Sequence, residues 1–133
     1  LSASPAVYLD TSALVKLVLA EAESAALAVE LRRWQRHISS ALVRTELVRA
    51  CAPAGSAARR LAERVVADLD LLAIDDAILD AAAHLKPLKL RPLDAIHIAS
   101  AQALGAALGG LIAYDTRLLH GAKAARLPTI VPR

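Results

Sequence analysis

With 133 residues the chain is long enough for one ordinary domain and too short for two comfortable ones, so any site is built from one core or shared across an oligomer. Phe and Met are absent and there are only one Trp and two Tyr, so Ala, Leu, Val and Ile must fill the interior, which favours helices packed closely on aliphatic strands. The net charge of +3 tolerates a polyanionic partner without identifying one, and no apolar run reaches the roughly 18 residues of a membrane span.

Leu1 to Pro5 is expected to be a start remnant with little structure, since no Met opens the chain. Nor does this end show the basic start and long apolar middle of a secretion signal, so the expected location is cytoplasmic. AVYL, 6 to 9, is a short continuous apolar run, as expected for a strand buried on both faces. Ser12 is expected to cap a helix from Ala13 to Ala20. EAESAALAVELRRWQR, 21 to 36, opens with acids and closes with bases, matching the helix dipole at both ends, and HISS reads as a second strand.

Residues 41 to 52 form a helix until Pro53 and Gly55 interrupt it; Cys51 falls in its apolar pattern, as a buried thiol does. A helix from about Ser56 to Leu69 follows, then a strand LLAI, 71 to 74. Asp75 or Asp76 can cap the helix AILDAAAHL, and KPLKLRP is a loop. Pro92 suits the first turn of a helix running to about Leu108, ended by Gly109 and Gly110. LIAY, 111 to 114, is a strand, DTRLLHGAKAA a short helix, and PTIV, 128 to 131, a last strand. Strands alternate with helices throughout, which points to an α/β fold with a parallel sheet covered on both faces.

In such sheets binding sites lie at the carboxyl ends of the strands. Asp10 follows AVYL and Asp115 follows LIAY, so both carboxylates emerge at that edge. Glu46 interrupts the apolar helix ALVRTELV, and Asp94 lies in the first turn of LDAIHIASAQAL. Taken singly, each has an ordinary explanation: caps for Asp10 and Asp115, a first-turn acid for Asp94, a solvated partner of Arg44 or Arg49 for Glu46. Four such acids in one chain shift the balance if they converge. Two carboxylates about 4 Å apart repel by about 4 kcal/mol at an effective dielectric near 20, so a cleft gathering all four needs a cation. Oxygen ligands without Cys or paired His favour Mg²⁺ or Mn²⁺, and such ions are commonly completed by phosphate oxygens, which makes phosphodiester hydrolysis the natural chemistry.

YLDTSALVKL, the acid of RTELVRA, LRPLDAIHIASA and IAYDTRLL then occur in the order and at roughly the spacing of one family. The chain resembles the PIN-domain nucleases, and most closely the VapC-type toxins of bacterial toxin-antitoxin pairs, over nearly its whole length. The resemblance implies a single α/β/α domain over 1–133 around a parallel sheet of four to five strands. It implies a metal-dependent endoribonuclease whose acidic quartet is Asp10, Glu46, Asp94 and Asp115, holding one or two Mg²⁺ or Mn²⁺ ions. Thr11 and Ser12 would hold Asp10 and its hydration shell. Where many relatives carry Thr or Ser two residues before the last acid this chain has Ala113, so that hydroxyl contact to a metal-bound water would be either missing or supplied by Thr116. The implied partners are RNA, a VapB-type antitoxin covering an apolar groove, and a second copy of the chain in a homodimer or a larger toxin-antitoxin assembly; the apolar pattern of helices 13 to 31 and 41 to 52 suits either that groove or the internal core.

RNA requires positive surface beside the cleft, and Lys16, Arg44, Arg49, Lys86, Lys89, Arg91 and Arg117 lie near the acidic motifs in sequence. Aromatic platforms are scarce, with Trp34, Tyr8 and Tyr114 the candidates and Tyr8 expected to be buried. His97, one turn beyond Asp94, is expected to pack or to support the site from behind, while His37, His84 and His120 lack ligand spacing. Other phosphate chemistries fit less well: no GxxxxGK[ST] loop occurs, Leu14 interrupts D-x-S-x-S, and Ser12 denies the second Asp of a haloacid dehalogenase. The paired early acids and late lysine of a receiver domain are not evident either. The alternative of a different class is a PIN-like module that binds RNA or a partner without cutting it.

Overall fold

A computed structural model of the chain describes residues 5–133, so the expectation for Leu1 to Pro5 lies, apart from the exposed Pro5, outside the described residues. Strand β1 (Ala6–Leu9) is wholly buried, with Val7 and Leu9 facing one core and Ala6 and Tyr8 the other. A continuous apolar strand needs that two-sided burial. Helices α1 (Thr11–Val18) and α2 (Ser24–Leu31) lead to β2 (Arg36–Ser40). Next come α3 (Val43–Cys51), a tight helical turn at Ala52–Ala54, α4 (Ser56–Ala67) and β3 (Asp70–Leu72). The chain then passes through α5 (Asp76–Ala83) and α6 (Pro92–Ala103) to β4 (Leu108–Ile112), and through α7 (Thr116–Ala124) to β5 (Thr129–Ile130).

The sheet order is β3-β2-β1-β4-β5 and every pairing is parallel. On one face α1 to α4 cover Val7, Leu9 and Ile112 with side chains such as Leu14, Leu27, Leu47 and Ala62. On the other, α6 and α7 cover Tyr8, Ile38 and Leu111 with Ile98, Ala101, Leu118 and Ala122, and α5 packs on α6. The result is the expected three-layer α/β/α sandwich, with five strands. Cys51 is buried in the first of these cores. No helix among the described residues is long and apolar enough to cross a membrane.

Several element boundaries differ from the sequence expectations, and pairing explains most of them. β3 stops at Leu72 rather than residue 74 because its partner β2 stops at Ser40, opposite Leu72. β4 begins at Leu108 and ends at Ile112, not at 111 and 114, because β1 offers pairing only from Ala6 to Leu9. Helix α2 begins at Ser24, since Glu21 and Glu23 are drawn to Lys16 Nζ at 3.2 and 3.1 Å. Gly109 and Gly110 do not end α6; that helix stops at Ala103 and the chain turns at Gly105, whose φ of +54° suits glycine. Gly109 lies in β4, where a Cβ would overlap the Trp34 ring. Gly109→Ala is therefore expected to cost about 1–3 kcal/mol through overpacking, measurable as a lower urea midpoint at unchanged slope.

Candidate active site

β1 and β4 are neighbours, yet α1 leaves β1 toward one face of the sheet and α7 leaves β4 toward the other. Connections that diverge in this way open a crevice at the carboxyl ends of the two strands. Asp10 and Asp115 stand on its two sides, each capping the helix that follows. Asp10 Oδ1 accepts from the Ala13 amide at 3.0 Å and Asp115 Oδ1 from the Arg117 amide at 2.9 Å. Asp10, rather than Ser12, is thus the cap of α1. The Ser12 hydroxyl donates toward both Asp10 carboxylate oxygens, at 2.7 and 2.9 Å, and accepts from the Tyr114 and Asp115 amides at 2.8 and 3.2 Å. One oxygen ties the two strand ends together.

Thr11, expected beside Asp10, instead donates to Glu46 Oε1 at 2.6 Å, because the first turn of α1 faces the first turn of α3. The same Glu46 oxygen lies 2.8 Å from Nε2 of His97, a buried residue of α6 whose Nδ1 is 2.7 Å from the Tyr8 hydroxyl. The consistent proton assignment has Tyr8 donating to Nδ1 and Nε2–H donating to Glu46. Burial pushes the Tyr8 phenol well above its ordinary range, so it keeps the proton it donates. Both bonds to Glu46 fall on Oε1, leaving Oε2 for the cleft.

All four predicted acids line a single cleft of about 440 Å³ together with Thr11, Ser12, His97 and Arg91. Burial pushes the Asp10 carboxyl up to about 6, against the pull of the Ser12 and Ala13 hydrogen bonds and with the Asp115 charge adding to the rise. Glu46 moves the other way: burial raises it, but the hydrogen bonds from His97 and Thr11 outweigh that and hold it below the usual carboxylate range. Arg91 bridges the remaining pair, its Nε 3.3 Å from Asp94 Oδ2 and its Nη2 3.6 Å from Asp115 Oδ2. Among the described residues no three His, Cys, Asp or Glu side chains are already drawn around one cation position. The donor chemistry still fits a hard divalent ion: four carboxylates, no thiolate, and one imidazole already engaged by Glu46.

The other predicted residues separate. Lys89, Arg91, Arg117 and Thr116 line an adjoining pocket, which places Thr116 beside the acidic cleft rather than in it. Lys16 is committed to Glu21 and Glu23 and lies over the Tyr114 ring. Arg44 lines a groove with Arg59 and Glu63 along α3 and α4, and Arg49 and Lys86 are exposed. Of the aromatics, Tyr8 is buried, Lys16 lies over the Tyr114 ring, and Trp34 packs against the first core with its Nε1 donating to Glu30. The sequence reading expected His97 to pack or to support the site from behind, as its contact with Glu46 does, and gave Arg91 only to RNA. The three-residue spacing from Asp94 to His97 puts both on one side of α6 and was the available signal for the histidine.

The description "PIN domain" matches residues 7–124. Ribonuclease VapC46 of Mycobacterium tuberculosis H37Rv is 48% identical, covering 96% of this chain and 98% of that protein. Ribonuclease VapC35 of the same strain is 44% identical, covering 95% and 96%. A crystal structure of a VapBC family member, VapBC-5 from M. tuberculosis, shares the fold at a TM-score of 0.61 and 22% identity, covering 96% of this chain and 98% of that one. The chain belongs to the PIN-domain family. Within it, the chain groups with the VapC proteins.

Two stability predictions follow from the geometry. His97→Ala removes the partner of both Tyr8 and Glu46 and is expected to cost about 2–4 kcal/mol in chemical denaturation. Because the Asp10 carboxyl is raised in the folded state, its contribution is favourable at low pH and is lost as pH rises through about 6. In chelator, Asp10→Asn is therefore expected to exceed the natural chain in stability by up to about 3 kcal/mol above pH 7, the gap closing below about pH 4. A pH-independent gap in the melting curves would contradict this account.

Proposed function

We propose that this chain is the toxin of a type II toxin-antitoxin pair, a single PIN domain acting in the cytoplasm as a Mg²⁺- or Mn²⁺-dependent endoribonuclease. The observation that carries this reading is the convergence of Asp10, Glu46, Asp94 and Asp115 on one cleft at the sheet's switch point, where burial opposes the charge on Asp10. Asp10, Asp94 and Asp115 would hold one or two ions directly, and Glu46 directly or through water. A bound ion would supply Lewis acidity and lower the pKa of its water, so that hydroxide is available near neutrality.

The chain's own residues do the placing. Ser12 fixes Asp10 and both flanking strand ends, so the first and last acids cannot drift apart independently. Thr11 and His97 orient Glu46 with one oxygen turned to the cleft, where it can hold or accept the proton of an attacking water. Arg91 can exchange its carboxylate partners for the phosphoryl oxygens on which charge accumulates.

The names of the VapC relatives and of the VapBC neighbour support an antitoxin of the VapB type as partner, and homodimerisation is proposed with it. The bridging of Asp94 and Asp115 by Arg91 is the one observation that favours binding of RNA without cleavage. Incubating the purified chain with structured RNA and Mg²⁺ or Mn²⁺ separates the two. Cleavage is expected, abolished by chelator and reduced about 100-fold or more in Asp10→Asn; binding without cleavage under all metal conditions would establish the second reading. Because Arg91 competes with a cation for two carboxylate oxygens, Arg91→Gln is expected to tighten Mn²⁺ binding about two- to fivefold in calorimetry while slowing cleavage.

A further inference from the structure

Beside the acidic cleft lies a second pocket of about 480 Å³ that shares Arg91 and Asp94 with it. One wall is the segment leading into α6, with Pro87, Lys89 and Leu90; the other is the first turns of α7, with Thr116, Arg117 and His120. Three formal positive charges face one carboxylate here, and that carboxylate already faces Arg91. Among the described residues neither Lys89 nor Arg117 has a carboxylate within 4.0 Å. Cations gathered in a concave site without acidic partners repel one another and favour an anion.

We infer that this pocket is a subsite for a backbone phosphate of RNA flanking the bond to be cut, an inference that rests on the nuclease reading above. Lys89 and Arg117 neutralise the phosphate, and the Thr116 hydroxyl and the His120 ring supply further hydrogen-bonding groups beside it. Arg91 stands in the wall common to the two pockets, so a strand lying across both passes one phosphate by the acids and a neighbouring one by the cations. The arginines of α4 lack this continuity. Arg59 faces Glu63, and the grooves lined by Arg59, Arg60 and Arg64 contain Glu63 and none of the four cleft acids. The strand therefore leaves the cleft toward α7 rather than toward α4.

The test measures binding of a labelled RNA hairpin with single-stranded flanks to the full chain in chelator, where cutting is suppressed, across a series of salt concentrations. Lys89→Ala and Arg117→Ala are each expected to weaken binding about 3- to 10-fold at low salt and to reduce the slope of log affinity against log salt by about 0.7. Lys89→Arg and Arg117→Lys should restore most of the loss. The control R60A/R64A should bind within about twofold of the natural chain, and Mn²⁺ affinity of Lys89→Ala should be unchanged, since Lys89 touches no acid of the cleft. If the natural chain cuts RNA and the Lys89 and Arg117 variants bind it equally well, the subsite is overturned and the nuclease reading stands. If R60A/R64A weakens binding as much as they do, diffuse charge explains the effect and the subsite is again overturned. A natural chain that neither binds nor cuts RNA removes the subsite together with the function it rests on.

Discussion

The site is organised around one hydroxyl. Ser12 Oγ engages the Asp10 carboxylate and receives the amides of Tyr114 and Asp115, so the turn after β1 and the turn after β4 share a single hydrogen-bonded centre. Those turns lead to helices on opposite faces of the sheet, and the Ser12 bonds hold them together beyond the last backbone rung, from the Asp10 amide to the Ile112 carbonyl at 3.2 Å. The tether is also economical in polar groups: it satisfies two backbone donors at the bottom of a crevice, where leaving them unpaired would cost about 1–3 kcal/mol each. Position 12 therefore bears on fold and site at once.

Around that centre the charges are treated unequally. Asp10 is buried and its ionised form disfavoured, whereas Glu46 is held ionised by an imidazole and a hydroxyl. Asp94 and Asp115 share a guanidinium. The cleft thus has one acid in electrostatic deficit and three that are already compensated by the chain. Arg91 holds one oxygen of each of the other two aspartates, and Asp10 has no cationic side chain within 4.0 Å among the described residues.

Much of this was legible in the residues. The strand-helix alternation gave the layered parallel sheet, and acids placed after AVYL and LIAY gave the crevice edge, because a parallel strand must deliver whatever follows it to the same side. Element boundaries were less legible. The extents of β3 and β4 depend on where their partners stop, and pairing between distant segments leaves no local mark. Gly109 read as a helix terminator because glycine carries the same letter whether it supplies a turn or makes room for the Trp34 ring from elsewhere in the chain. The Glu46 contacts of Thr11 and His97 were not legible for a related reason, although support of the site by His97 was expected. Their partner Glu46 comes from a different helix, so their roles exist only once α1, α3 and α6 meet.

The link from Tyr8 through His97 to Glu46 makes β1 more than a structural strand. Tyr8 sits in the packed interior between sheet and helices, with its ring edge-on to the imidazole. A change at this position that preserves hydrophobic volume but deletes the phenolic oxygen would pass every packing criterion and still unfasten the histidine that aims an acid on the far side of the sheet's rim. The interior of this molecule is thus wired to its surface chemistry, and sequence variation that looks conservative by size is not interchangeable at the centre of the sheet.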